Sequence, residues 1–182
     1  GQMHEKRGGE VSWIPVDRAG QIDVHELQEA IREDTALVSV MLANNETGVV
    51  FPIEEIAAIC RIKGVPFHTD AVQTAGKLKL DVKAMGVDFL SLSAHKLHAP
   101  KGIGLLYVRQ GVPWQPYVIG GGQESGRRGG TENVAYIVAF GKAAELAMAS
   151  LENDADRIRA LRNRMEDRIM QSIPGVTRNG AK

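Results

Sequence analysis

The 182-residue sequence is poor in cysteine, with Cys60 as its only one. A disulfide framework is therefore excluded within it, and a reducing, cytoplasmic location is expected. Charge of one sign is also not in excess, because Lys plus Arg and Asp plus Glu both count 22. Nothing in this balance indicates a nucleic-acid or anionic-membrane partner. No apolar run approaches a membrane span and no secretory signal pattern opens the sequence, so no membrane partner is expected.

What is present is the composition of an ordinary globular protein, with 43% hydrophobic residues. Cys60 lies in the segment IEEIAAICRIKG, where it shares one helical face with Ile53, Ile56 and Ala57. Buried free cysteines usually behave as small hydrophobic residues. We therefore predict a structural role for Cys60 rather than a nucleophilic one.

The period of the apolar residues alternates between two and about 3.6 along the chain, which indicates alternating strands and helices. The predicted strands cover 10–17, 35–43, 65–72, 87–93 and 102–109. The predicted helices cover 24–33 after an Asp23 N-cap, 53–63 before Gly64, and two further stretches that separate at Asn153 and Asp154. Such an order predicts an α/β fold, a mainly parallel sheet with helices on both faces.

Polar side chains lie at or near the ends of three predicted strands. Because ligands bind outside the carboxyl ends of strands in open α/β sheets, these residues are the candidates for a site. They are Asn44, Asn45 and Glu46 after strand 35–43, His68 and Asp70 in strand 65–72 with Gln73 three residues later, and Ser93 at the end of strand 87–93 with His95 and Lys96 directly after it. Amide, carboxylate, hydroxyl, imidazole and amine groups should thus converge on one edge of the sheet.

These groups suit a flat, anionic, nitrogen-containing cofactor better than they suit a metal ion. Zinc ligation is conceivable, but no CxxC or HExxH spacing accompanies the histidines, and we expect no metal site. A Ser-His-Asp hydrolase is also conceivable, but no G-x-S-x-G turn surrounds Ser93. Pyridoxal phosphate requires a lysine for its Schiff base and a carboxylate for its pyridinium nitrogen, and Lys96 and Asp70 would supply them.

Each candidate also has a purely structural interpretation. Asp70 could cap a following helix, Asn45 could form an Asx turn, and Gln73 alone indicates little. For His68 we favour a core histidine whose ring nitrogens are satisfied. Lys96 is the hardest to explain in this way, because few surface lysines directly follow a buried strand. The hypothesis of a site therefore depends on the joint placement of these residues.

Four motifs carry a resemblance to a known family. They are ANNETG (43–48), FHTDAVQTAGK (67–77), SLSAHKLHAPKGIGLLYVR (91–109) and the glycine-rich loop GGGQESGRRGGTEN (120–133). In this order they resemble the NifS/IscS cysteine desulfurases of the class V aminotransferase family, which are fold-type I pyridoxal-phosphate enzymes. The resemblance runs over essentially the whole chain.

The resemblance implies a role for each motif position around the cofactor. Lys96 would form the Schiff base and move the Cα proton, and Asp70 would hold the pyridinium proton. Gln73 would hydrogen-bond the phenolate oxygen, and Asn45 would lie near that oxygen and the substrate carboxylate.

The phosphate of the cofactor would be bound by a second group of residues. Ser93 and His95 would contact it from within the same chain. Thr131 matches a threonine that reaches the phosphate of the other subunit, which implies a homodimer.

The implied reaction converts L-cysteine to L-alanine and passes the sulfur as a persulfide to an enzyme cysteine, then to an acceptor such as an iron–sulfur scaffold. Cys60 does not match that cysteine. We expect the chain to be a piece of a longer protein, with 1–148 as part of the cofactor domain, 149–182 as the start of a small domain, and no activity alone. A selenocysteine lyase, another class V enzyme or a non-catalytic dimerisation module remain alternatives.

Overall fold

The computed structural model describes residues 1–181. The helices are α1 (Gln2–Glu5), α2 (Val24–Ala30), α3 (Ile53–Lys63), α4 (Val82–Met85) and α5 (Val134–Ser172), and a 3₁₀ helix covers Ala94–Leu97. The strands are β1 (Val38–Met41), β2 (Phe67–Asp70), β3 (Phe89–Ser93), β4 (Gly104–Val108), β5 (Gly122–Gln123) and β6 (Arg128–Gly129). The proposed second domain, 149–182, ends at a residue outside this description, and its boundary stays a prediction.

The main sheet has the strand order β1-β2-β3-β4. Strands β1, β2 and β3 are parallel, and β4 is antiparallel to β3. Asp70 on β2 lies opposite Met41 on β1 and Ser91 on β3. The carboxyl ends of the three parallel strands therefore meet at one edge, and the predicted α/β class with a mainly parallel sheet is confirmed.

The core forms where α3 packs against this sheet. Phe67 and Leu90 are 1% and 2% exposed, and on the helix Ile56 and Cys60 are 0% and 1% exposed. The helix ends where predicted because Gly64 adopts φ 71°, a left-handed conformation that favours glycine. Burial raises the pKa of the Cys60 thiol to about 11, so the group is a protonated, hydrophobic thiol, as the sequence predicts.

The short helices α2 and α4 begin at aspartate caps. Asp23 accepts hydrogen bonds from the backbone N–H groups of His25 and Glu26, as predicted. Asp81 caps α4 in the same way through Lys83 and Ala84, a helix that the apolar period alone does not indicate. These caps satisfy backbone donors that the first turn of a helix leaves free.

The predicted strand 10–17 is wrong. Only Val16 makes a bridge, to Ile22 across a tight turn. Asp17 closes this turn by accepting hydrogen bonds from the N–H groups of Ala19 and Gln21, both at 2.8 Å. Pro15 has no N–H to donate to a ladder, and alternating apolar residues without a neighbouring strand do not make a sheet.

The predicted break at Asn153 and Asp154 is also wrong, because α5 runs through both residues. Asn and Asp cost a helix interior only a few tenths of a kcal/mol, about 0.7 at most. Local ion pairs offset this cost, including Arg157 with Asp154 at 3.0 Å and Arg159 with Asp156 at 2.7 Å.

Helix α5 is largely exposed. Its most apolar 18-residue window has a mean hydropathy of 1.5 and is 6% buried, so by length and composition it could cross a membrane. The expectation that no apolar run approaches a membrane span is therefore wrong by this measure. One such helix is weak evidence for a membrane segment, because helices of soluble proteins pass the same test.

Candidate active site

Asp70 lies at the end of β2, on the edge where the parallel strands finish. Its side chain is half-buried, and its Oδ1 accepts a hydrogen bond from the backbone N–H of Val72 at 2.9 Å. The carboxylate thus orders the turn that follows it, and since residues 72–77 form turns rather than a helix, the alternative role of Asp70 as a helix cap is wrong. A single oxygen serves that bond, so the group keeps acceptor capacity for a ligand.

Lys96 is positioned by the 3₁₀ helix that directly follows β3. Ala94 anchors this helix: it is 0% exposed, and its N–H donates to the carbonyl of Ile103. His98 ends it with φ 63°, a conformation that few non-glycine residues adopt. Lys96 is half-buried on this short, constrained element, next to the strand that neighbours Asp70. An amine and a carboxylate thus project from adjacent strand ends.

Ser93 and His95 form a pair at the same strand end. The distance between Ser93 Oγ and His95 Nδ1 is 2.7 Å. A hydroxyl and an imidazole held together in this way offer donors to an anion, because the ring keeps Nε2 free of this contact. The pair therefore fits the predicted phosphate-binding role.

The two asparagines in the loop after β1, Asn44 and Asn45, make different contacts. Asn44 makes the Asx turn, since its Oδ1 accepts hydrogen bonds from the N–H groups of Glu46 and Thr47, both at 2.9 Å. Asn45 is exposed and its Nδ2 donates to the Glu46 carboxylate at 2.7 Å. The Asx turn is thus formed by Asn44 and not by Asn45, and the Asn45 side-chain amide lies at the edge of the sheet.

Gln73 lies in the turns that follow Asp70 and is half-buried. The Lys77 amine donates to its backbone carbonyl at 3.0 Å, which holds this segment in a compact turn. Gln73 therefore lies on the segment that leaves the same strand end as Asp70.

Thr131 is not drawn into this cluster by a hydrogen bond within the described residues. It is exposed and follows the β5–β6 hairpin, a separate two-stranded sheet. Arg128 holds the hairpin together by donating to Glu124 Oε1 at 2.6 Å and to the Gly130 carbonyl at 2.8 Å. The role of Thr131 toward another subunit stays a prediction.

His68 has two partners that the sequence did not reveal. Its Nδ1 lies 2.8 Å from Ser39 Oγ and its Nε2 lies 2.8 Å from Ser91 Oγ. The structure thus agrees with the favoured interpretation of a histidine with a satisfied ring. Burial lowers the pKa of His68, against a smaller opposing effect of Asp70, which favours the neutral ring. The sequence signal that could have indicated these partners is the presence of Ser39 and Ser91 within otherwise apolar strands.

Comparison with known proteins assigns the chain to a family. The family model described as "Aminotransferase class-V" matches residues 1–182. The chain belongs to the aminotransferase class-V family. Members of this family are pyridoxal-phosphate enzymes, and the groups at the strand ends fit that cofactor: an amine, a carboxylate and a hydroxyl–imidazole pair.

Within the family, the chain is similar to a protein named cysteine desulfurase and to two solved structures. It is 54% identical over 176 residues to "Cysteine desulfurase 2" of Trichormus variabilis (strain ATCC 29413 / PCC 7937), covering 97% of this chain and 44% of that protein. Among solved structures, "NIFS-LIKE PROTEIN" matches with a TM-score of 0.90 and 41% identity, over 93% of this chain and 47% of that one. "SspA in complex with cysteine" matches with a TM-score of 0.76 and 44% identity, over 79% and 42%. The chain spans less than half the length of these relatives.

Proposed function

We propose that the protein carrying this chain is a pyridoxal-phosphate-dependent cysteine desulfurase. The observation that carries the proposal is the register of β2 and β3, which sets Asp70 opposite Ser91 and brings the Lys96 helix to the same edge. The identity of 54% to a protein named cysteine desulfurase favours this chemistry over that of other family members. The cysteine complex of SspA supports L-cysteine as the substrate.

The residues at the edge have complementary tasks in this proposal. Lys96 would hold the cofactor covalently, and its amine would serve as the base that moves the Cα proton. Asp70 keeps the proton on the pyridinium nitrogen through a charge-assisted hydrogen bond. The bound cofactor supplies an electron sink for the charge that develops at Cα.

The remaining residues orient the cofactor and the substrate. Gln73 donates to the phenolate oxygen, and Asn45 contacts that oxygen and the substrate carboxylate. Ser93 and His95 bind the phosphate, and Thr131 binds the phosphate of a second subunit in a homodimer.

The sulfur is proposed to pass to a cysteine other than Cys60. Cys60 is 1% exposed and its pKa is raised to about 11, so a thiolate does not form there at neutral pH. It is the only cysteine of these 182 residues, and the acceptor cysteine is therefore supplied from outside them. From that cysteine the sulfur passes to an acceptor such as an iron–sulfur scaffold in the cytoplasm.

The proposal is tested by mapping the covalent attachment of the cofactor. Borohydride reduction of the protein with pyridoxal phosphate, followed by peptide mapping, should place the label on Lys96. Lys96→Arg should abolish the label, and Lys101→Arg, five residues away on an exposed turn, should keep it. Label on Lys101 in the unaltered protein would refute the assignment.

The reaction is tested separately by sulfide release from L-cysteine. With an added thiol reductant, which cleaves the persulfide and supplies the two electrons that free sulfide requires, the protein that carries this chain should release sulfide and form L-alanine in equal amounts. Residues 1–182 alone should show no turnover, because they lack an accessible cysteine. A rate for residues 1–182 equal to that of a complete desulfurase would contradict this division of the site.

A further inference from the structure

One polar row crosses the sheet beneath the candidate site. The His68 ring lies between β1 and β3, with Ser39 Oγ at 2.8 Å from Nδ1 and Ser91 Oγ at 2.8 Å from Nε2. Ser39 is the direct neighbour of His68 on β1, whereas Ser91 is the neighbour of Asp70 on β3. The ring therefore contacts the residue directly opposite on β1, whereas on β3 it contacts the residue that lies two positions further toward the carboxyl end of the strand.

This row lies on the same face of the sheet as Asp70. Alternate residues of a strand point to the same side, so His68 and Asp70 share one face while Phe67 and Thr69 point into the core. The burial pattern follows this alternation: Phe67 is 1% and Thr69 0% exposed, and the other two are half-buried. The row thus ends at Ser91, directly beside the carboxylate.

A neutral imidazole suits the chemistry of both serines. It has one N–H donor and one acceptor nitrogen, and each hydroxyl can act in either sense. The three groups therefore form a continuous hydrogen-bonded chain across β1, β2 and β3. No other side-chain hydrogen bonds in the described residues join all three parallel strands on this face.

We propose that His68 is a positioning residue for Asp70. Its hydrogen bonds to Ser39 on β1 and Ser91 on β3 hold β2 in place between these strands, and they thereby fix the position and orientation of the Asp70 carboxylate. The proposal rests on the proposed function in one respect, namely that Asp70 is the group that contacts the cofactor. A half-buried carboxylate that orients a flat ring must be held closely, and misplacement of such a group by about 1 Å can cost up to about a hundredfold in rate. His68 acts only through Asp70 and touches no reacting atom.

The first test measures the placement of Asp70 without any cofactor. The Val72 N–H donates to Asp70 Oδ1, and the neighbouring Ala71 N–H donates to the backbone carbonyl of Ser91. His68→Phe, which keeps a ring and removes both hydrogen bonds, should accelerate hydrogen exchange at Val72 relative to Ala71. Acceleration of both amides by the same factor would mean general loosening of the sheet and would overturn the proposal.

The second test uses a matched pair at Ser91 and measures cofactor affinity. Ser91→Ala removes the hydroxyl and should raise the dissociation constant for pyridoxal phosphate by about tenfold, whereas Ser91→Thr keeps the hydroxyl and should stay near the unaltered value. Because Ser91→Ala is a small change, it decides the question even where His68→Phe does not fold. A lower melting temperature for Ser91→Ala with unchanged affinity and unchanged Val72 exchange would assign His68 a structural role only.

The two proposals fail in different ways. Absence of borohydride label at Lys96 in the unaltered protein would refute the proposed function. The ratio of Val72 to Ala71 exchange would still decide whether His68 positions Asp70, because that measurement needs no cofactor.

Discussion

The Asp88 carboxylate accepts a hydrogen bond from the Arg109 guanidinium, with 2.7 Å between Oδ1 and Nε. Its other oxygen accepts the backbone N–H of Phe67 at 2.8 Å. Asp88 precedes β3, Arg109 follows β4 and Phe67 begins β2, so one carboxylate joins three strands at the edge opposite the candidate site. Asp88 is 8% exposed.

Asp88→Ala should therefore destabilise the protein clearly. It leaves the Phe67 N–H and the Arg109 side chain without their acceptor, and hydrogen bonds to charged groups contribute roughly 1.5–3 kcal/mol each to the free energy of unfolding. Arg109→Met should cost less, because that side chain is 57% exposed. Urea unfolding measures both changes, and Glu10→Ala, which breaks the exposed pair with Arg32, is the control expected to have no effect. Equal effects of Asp88→Ala and Glu10→Ala would contradict this role.

Thr69→Val should stabilise the protein. Thr69 is 0% exposed and its hydroxyl has no hydrogen-bond partner in the described residues. An unpaired buried hydroxyl costs about 1–3 kcal/mol, and valine fills nearly the same volume. Thr74→Val is the matched control, because the Thr74 hydroxyl donates to the Ala71 carbonyl at 2.9 Å. That variant should lower the melting temperature, and a rise for both or a fall for both would contradict the assignment.

Gly76→Ala should disturb the contact between α5 and the 3₁₀ helix of Lys96. A Cβ at residue 76 would lie 2.5 Å from Leu97 Cδ2 and 3.1 Å from Ala147 Cβ. Gly64→Ala is the control with the same φ of 71° but nothing within 4 Å of the added carbon. Both variants carry the left-handed strain of about 1–2 kcal/mol. Only Gly76→Ala should add an overpacking cost of about 1 kcal/mol, because the Leu97 side chain must rotate away and Ala147 must shift by a few tenths of an ångström. Equal losses in chemical denaturation would show that the crossing tolerates the methyl group.

Stability should fall at alkaline pH in a manner that depends on Cys60. Its pKa is raised from the ordinary value of 9.0 to about 11, first by burial and then by the Asp88 charge. Between these values the folded protein keeps a proton that the unfolded chain releases, so the free energy of unfolding declines as the pH rises from 9 to 11. The loss is on the order of 1–2 kcal/mol. Cys60→Ala should remove this part of the slope, and identical slopes for both proteins would refute it.

The sequence predicted those elements whose signals are local. The apolar face of α3, its Gly64 terminus and the Asp23 cap each act within a few residues, and all three are confirmed. The strand 10–17 failed because strand formation depends on a partner strand, which no local pattern supplies. The break at Asn153 failed because the predicted stop weighed single residues and not the ion pairs formed along the finished helix.

The candidate site followed from topology more than from propensity. Asp70 and Lys96 could be placed together because parallel strands end at one edge. The partners of His68 could not be predicted, since Ser39 and Ser91 become neighbours only once the register of three strands is set. The role of Thr131 toward a second subunit stays a prediction, because within the described residues Thr131 is exposed and apart from the other candidates.

Because α5 is long, a small change in its direction where it passes Gly76 would move its far end by a large distance. The helix has 39 residues, or about 58 Å at 1.5 Å per residue, and it passes the crossing at Ala147 with some 25 residues still to come. A change of about 10° in its direction there would carry its far end through roughly 6 Å. The close approach of Gly76 to Leu97 and Ala147 therefore bears on the position of the Ser172 end of the helix, far from the contact itself.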